Sequence, residues 1–226
     1  MKILIINPNS DLQMTAAIQQ SAESFAHGEF DVVCKSTLGA PKFIETYEDQ
    51  LSAAPGMIQL VKENQNGFDA FVVACHCDPN LDALKEIADK PVVGIGEASM
   101  KIASMLGHRF SVISTAKHSI PNKEALARKY HLENVLASVR APEDEFIACN
   151  DEEKYMQAAQ LAITEDMAEV IVLGCAGLTG LDKRLESALD VPVLDGIVCA
   201  LIIAVGLAKY GVSTSKVRRY NPASSS

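Results

Sequence analysis

Two cysteines of this chain stand where a thiol can do chemistry. Cys75 follows the aliphatic run Phe71-Val72-Val73-Ala74, and Cys175 follows Val170-Ile171-Val172-Leu173-Gly174. Each is succeeded by residues that read as a turn leading into a helix. A thiol of ordinary pKa, about 8.5, is only a few per cent ionised at neutral pH, but the unsatisfied N–H groups and the dipole of a helix N-terminus favour the thiolate. A thiolate can take a proton from carbon while a thiol opposite returns one from the other side. That exchange inverts a stereocentre without a cofactor.

An internal repeat makes the two cysteines a pair. Setting Val73-Ala74-Cys75-His76-Cys77-Asp78-Pro79-Asn80-Leu81-Asp82 over Leu173-Gly174-Cys175-Ala176-Gly177-Leu178-Thr179-Gly180-Leu181-Asp182 aligns the cysteines and both Leu-Asp pairs, and Glu86 then falls on Glu186. After one residue of slippage, Pro91-Val92-Val93-Gly94 lies over Pro192-Val193-Leu194-Asp195. More loosely, Ile5-Ile6-Asn7-Pro8-Asn9-Ser10 matches Val112-Ile113-Ser114-Thr115-Ala116-Lys117, each a strand that ends in small polar residues. In parallel sheets the ligand site lies beyond the carboxyl ends of the strands. Two similar halves facing each other therefore place one thiol on each wall of a cleft.

The elements that must hold these residues alternate. Aliphatic runs predict strands over 2–6, 30–34, 71–74, 91–95, 110–113, 135–139 and 170–173. Helical patterns fall at Met14–Phe25, Ala54–Asn64, Pro121–Tyr130 and Glu152–Ala168. A further helix is expected to run to about Ala88, with Asp78 as its cap and Pro79 in its first turn. The uncharged stretch Gly196 to Ala208 reads as a buried helix, since it falls short of the roughly 20 residues a membrane span requires. The fold class is α/β, with two pseudo-symmetric subdomains, each a short parallel sheet flanked by helices. Residues 1–95 with 207–226 form the first subdomain and 96–206 the second; Ala223 to Ser226 reads as a frayed tail.

Composition narrows the partners. Hydrophobic residues make up 48% and charged residues 22% of 226, as in a folded globular chain. Twenty Lys+Arg against 29 Asp+Glu give a net charge of −9, which repels nucleic acid and anionic membranes. Only Lys216, Arg218 and Arg219 cluster basic charge. The opening run Met1 to Asn7 is too short for a signal peptide, so a cytoplasmic protein is expected. Six cysteines are too sparse for a disulfide scaffold, and Cys34, Cys149 and Cys199, which have no repeated partner, are read as structural. Cys75-His76-Cys77 lacks the spacing of a zinc pair, so no metal is expected. His76 is left with three roles: tuning Cys75, touching a substrate or capping the turn. His27, His108, His118 and His131 read as surface or loop residues, with His118 close behind Ser114-Thr115. Glu143 to Glu145 and Asp151 to Glu153 read as a solvated acidic face and a helix start.

These pieces resemble the aspartate/glutamate/hydantoin racemase superfamily, and most closely its hydantoin and allantoin racemase branch. The resemblance spans nearly the whole chain. It rests on Ile6-Asn7-Pro8-Asn9-Ser10 with Met14-Thr15, on Gly39-Ala40-Pro41 with Ile44-Glu45 and Asp49, and on Ala74-Cys75 with Asp78-Pro79 and Leu81-Asp82-Ala83. It rests also on Pro91 to Ile95 with Glu97-Ala98, and on Gly174-Cys175-Ala176-Gly177. The resemblance implies cofactor-independent two-base racemisation of a small hydantoin-type ring, with Cys75 and Cys175 as the bases, in a homo-oligomer. It implies substrate contacts from Asn7, Pro8 and Asn9, from Phe43 and Ile44, from His76 and Cys77, from Ser114 and Thr115, and from the amides of Ala176 and Gly177.

The departures bear on substrate. Hydantoin racemases usually carry an aromatic residue after the first cysteine and a glycine before the Leu-Asp pair, where this chain has His76, Cys77 and Asn80. Amino-acid racemases of the superfamily follow their cysteines with Asn-Thr and Thr-His, where His76-Cys77 and Ala176-Gly177 stand, which disfavours a zwitterionic amino acid. Arylmalonate decarboxylases keep only the second cysteine. A maleate-isomerase-like reaction remains as an alternative, with Cys75 adding to an unsaturated diacid and Cys175 delivering a proton. So does a non-catalytic small-molecule binding or thiol-redox protein in which Cys75 and Cys175 form a disulfide.

Overall fold

A computed structural model of the chain describes residues 1–143 and 151–222. Cys149, Asp144, Glu145 and the tail from Ala223 lie outside the described residues. Strands and helices alternate: β1 (Lys2–Asn7), α1 (Leu12–Ala26), β2 (Asp31–Ser36), α2 (Tyr47–Asn64), β3 (Ala70–Val73), α3 (Leu81–Ile87), β4 (Val92–Gly94) and α4 (Ile95–Leu106). There follow β5 (Phe110–Ile113), α5 (Ile120–Lys129), β6 (Leu136–Arg140), α6 (Glu152–Thr164), β7 (Val170–Leu173), α7 (Asp182–Leu189), β8 (Val193–Leu194) and α8 (Gly196–Tyr210). By their contacts the residues fall into two compact units, Met1–Gly94 with the chain from Ala200 onward, and Ile95–Cys199.

Each unit holds one four-stranded sheet, ordered β2-β1-β3-β4 in the first and β6-β5-β7-β8 in the second. All pairings are parallel. The expected α/β class with two similar sheets is the fold observed, and the two strand orders are the same order. Successive side chains of a strand point to opposite faces. In the second unit Phe110, Val112, Val170 and Val172 therefore pack with Met100, Ala103 and Leu126, while Ile113, Ile171 and Leu173 pack with Tyr155, Ala159, Leu185 and Leu189. In the first, Leu4, Ile6, Phe71 and Val73 pack against Ala53, Met57 and Val61 of α2 and Leu81 and Leu84 of α3. Ile3, Ile5 and Val72 on the other face are equally buried, so the strands read as unbroken aliphatic runs rather than alternating ones.

Several boundaries differ from the sequence reading. Helix α2 starts at Tyr47 rather than Ala54. The Thr46 hydroxyl accepts from the Asp49 N–H at 3.1 Å and the Asp49 carboxylate accepts from the Thr46 N–H at 2.8 Å, a capping box that starts the helix upstream of Pro55. Helix α6 ends at Thr164 rather than Ala168, because the chain turns through Met167 at φ 61° before β7. Helix α4 has no counterpart in the sequence reading; β4 passes into it at Gly94-Ile95 with no polar cap or loop to announce it. The apolar stretch from Gly196 does form a helix, and no helix among the described residues is long and apolar enough to cross a membrane.

Two members of the basic cluster near the end of the chain pair with α3, while Arg218 and Arg219 remain exposed. Lys216 donates to the carbonyls of Lys85 and Glu86 at 2.5 and 2.8 Å, in the last turn of α3, and Tyr220 donates to Asp82 at 2.8 Å. Arg219 pairs with the same Asp82.

Candidate active site

Both cysteines follow the strand at the third place of their sheet. Beyond β3 the Ala74 N–H donates to the Ile6 carbonyl at 2.9 Å, and beyond β7 the Gly174 N–H donates to the Ile113 carbonyl at 2.8 Å. The next residue is Cys75 in one unit and Cys175 in the other. The burial sequence around them is the same: 71–74 and 171–174 are buried, 75 and 175 half-buried, 76 and 176 buried, 77 and 177 half-buried, 78 and 178 buried. The first hydrogen bond of each turn matches as well: Asp78 N–H donates to the Cys75 carbonyl at 2.9 Å and Leu178 N–H to the Cys175 carbonyl at 3.1 Å.

The surroundings of the two sulfurs differ in chemistry. Cys175 caps a short 3-10 turn, Ala176–Leu178, and its Sγ accepts from the Gly177 N–H at 3.3 Å. This is a helix-end donor on a thiol, as the sequence led one to expect. Cys75 is not followed directly by a helix, and this corrects the expected cap at Asp78 and first turn at Pro79. Asp78 and Asn80 are both left-handed, at φ 47° and 58°, so the chain makes a turn and α3 starts only at Leu81. Asp and Asn tolerate that conformation, whereas proline between them could not adopt it. Asn80 aligns with Gly180, which has φ 84°. The asparagine thus supplies a backbone shape that glycine supplies in the other half, and its side chain donates to the Gln50 carbonyl at 2.7 Å to hold the turn on α2. Near Cys75 the sulfur of Cys77 lies 3.2 Å from Sγ, and either atom can donate.

A buried carboxylate lies where each cysteine turn meets the end of the fourth strand. In the second unit Asp195, just past β8, accepts from the Thr179 hydroxyl and from the Gly180 N–H at 3.1 Å, and from Ile197 N–H at 2.7 Å at the start of α8. In the first unit the repeat puts Gly94 at that place, and the Asp78 carboxylate fills the space where a Cβ on Gly94 would sit. The sequence presents Asp78 as a cap and part of the family motif, and Asp195 only as the residue aligned with Gly94. The repeat held the signal, in the one aligned pair where glycine faces aspartate.

The remaining candidates are placed as follows. Asn7, Pro8 and Asn9 are buried at the end of β1. The Asn7 amide donates to Asn9 Oδ1 at 2.8 Å and to Thr15 Oγ1 at 2.9 Å, and the Asn7 carbonyl accepts from the Thr37 hydroxyl at 2.7 Å, so this loop is tied from within. Phe43 is half-exposed in the loop before α2, where Ile44 is half-buried. Ser114 is buried beyond β5, bonded to Ser119, and Thr115 is half-buried. His76 is 1% exposed and takes the inward place that Ala176 holds in the repeat. His27, His108, His118 and His131 are exposed, as surface residues. Burial pushes the Cys34 thiol in β2 up to about 12 and the Cys199 thiol in α8 up to about 12, so both stay protonated near neutral pH. Among the described residues no group of three or more His, Cys, Asp or Glu side chains is set to hold a metal ion.

Twin parallel four-stranded sheets, each with a cysteine just beyond its third-placed strand, define an α/β protein built from two similar units. Residues 3–204 match the Asp/Glu/hydantoin racemase family, and the chain belongs to that family and so to the isomerases. It is 38% identical to a hydantoin racemase of a Pseudomonas species over 97% of this chain and 91% of that one. It is also 38% identical to a hydantoin racemase of Rhizobium meliloti, over 97% and 94%. The solved allantoin racemase from Pseudomonas fluorescens superposes with a TM-score of 0.94 at 32% identity, covering 100% of this chain and 98% of that one.

Proposed function

We propose that this racemase inverts C5 of a 5-substituted hydantoin or of allantoin by two-base proton transfer, with Cys75 and Cys175 acting from opposite faces of that carbon. The observation that carries the reading is the equivalence of the two thiols: same strand position, same burial, and the same first hydrogen bond from the residue three places on. The C5–H bond lies beside a ring carbonyl. One cysteine, as thiolate, takes the C5 proton onto sulfur, and the electron pair left behind spreads into the carbonyl as an enolate. The opposite thiol gives its proton to the other face of C5 and becomes the thiolate. Nothing is oxidised or reduced, and the roles reverse with the substrate of opposite hand, so the chemistry calls for no cofactor or metal. Cys34 and Cys199, with thiols raised to about 12, stay protonated near neutral pH and so are not available as bases.

The backbone N–H of Ala176 suits a ring carbonyl that gains charge, while that of Gly177 donates to the Cys175 sulfur. Pro8 and Asn9, in the loop that Asn7 ties, together with His76, Cys77, Ser114 and Thr115, supply polar and shape contacts to the ring. Phe43 and Ile44 offer an apolar wall to its substituent. The two bases must both be reduced, which suits the cytoplasm. The exposed apolar positions Ile202 and Tyr210 of α8 suit a contact between copies in a homo-oligomer.

The test is the decay of optical rotation of single-hand allantoin and 5-benzylhydantoin. Cys75→Ala and Cys175→Ala are each expected to lower the rate by about 100-fold or more, while Cys34→Ala leaves it near wild type. Full activity in either single variant of the pair contradicts the reading.

A further inference from the structure

The two halves differ in what stands beside each sulfur. Cys175 Sγ accepts from a backbone N–H two residues on, that of Gly177, at 3.3 Å. Cys75 has a side chain at the same remove, the thiol of Cys77, with 3.2 Å between the sulfurs. Positions 77 and 177 align in the repeat and are both half-buried. The irregular turn through Asp78 and Asn80 replaces the 3-10 turn of the other half.

We propose that Cys77 is the positioning residue of Cys75: its S–H donates to the Cys75 sulfur and favours the thiolate, the part that the Gly177 N–H plays for Cys175. This rests on the two-base reading above. When Cys75 carries the charge, Cys77 is the only one of the two that can donate. When Cys75 has taken a proton the bond can reverse, with Cys75 donating to Cys77, so the contact survives both states of the cycle. A hydrogen bond to a charged group is stronger than one between neutral groups, and S–H is a weak donor, so the effect is modest. That corresponds to about one unit in the pH at which Cys75 becomes nucleophilic.

The experiment is iodoacetamide labelling across pH of wild type, Cys77→Ala and Cys77→Ser, with the peptides containing Cys75 and Cys175 quantified separately by mass spectrometry. The half-labelling pH of Cys75 is expected to rise by about one unit in Cys77→Ala and to return close to wild type in Cys77→Ser, whose hydroxyl still donates. Cys175 keeps its wild-type profile in both and serves as the control for folding. An unmoved Cys75 profile in Cys77→Ala overturns the proposal. So does an equal shift at Cys175, a Cys77→Ser profile like that of Cys77→Ala, or labelling of Cys77 ahead of Cys75 in wild type. These profiles do not depend on turnover: absence of racemisation by wild type refutes the two-base reading, while the labelling still judges Cys77.

Discussion

At the scale of single residues, the cysteine turns are held by groups that exchange places between the halves. Asp78 reaches to Gly94 in one unit, and Asp195, at the place of Gly94, reaches back to Thr179 and Gly180 in the other. A methyl group at residue 94 must displace the Asp78 carboxylate, and with it the turn that carries Cys75. Gly94→Ala is therefore expected to destabilise the fold by about 1–3 kcal/mol in denaturant unfolding. Gly206→Ala is the contrast: its Cβ meets open space within α8, and about 0.5–1 kcal/mol of stabilisation is expected. The pair of cysteines was legible in the sequence because each ends a strand and the repeat aligns them. The repeat hinted at the two carboxylates only through the aligned Gly94 and Asp195, and the Cys77 contact left no signal, because a sulfur–sulfur approach across one residue depends on a backbone turn that residue types alone leave open.

Among the elements, helix ends carry the testable energetics. Helix α3, directly after the Cys75 turn, has the Lys216 ammonium on its last carbonyls, a cation at the negative end of the helix dipole. Lys216→Ala should lower unfolding free energy by about 1 kcal/mol. Asp182 starts α7, where burial first and the charge of Asp195 second hold its carboxyl above the usual aspartate value. As pH rises through about 4, the unfolded chain ionises this group before the folded one does, so folding loses stability up to the raised value and stays lower above it. Asp182→Asn should accordingly raise Tm at pH 7, by an amount that shrinks to nothing as pH falls below about 4. A Tm gain independent of pH contradicts that origin. Strands β5 and β7 were readable to the residue, since buried aliphatic runs mark both faces at once. Helix α4 was hidden because Val93-Gly94-Ile95 continues an apolar run across the strand end, and the start of α2 because Pro55 reads as a helix opening although Thr46 and Asp49 cap the chain earlier.

Over the whole molecule, one four-strand topology used twice puts one thiol at the end of the third-placed strand of each sheet. On the proposed two-base reading, thiols from two similar halves serve both hands of a substrate. On the proposed mechanism, the base that takes the C5 proton is not the group that returns one. The measurement is racemisation of single-hand substrate in D2O, followed by proton NMR of C5–H with the two hands separated and the spontaneous rate subtracted. In the first few per cent of reaction the product of opposite hand should carry deuterium at C5 while the recovered substrate keeps its proton. Deuterium entering recovered substrate as fast as product would mean a single base exchanging with solvent, and would contradict the account.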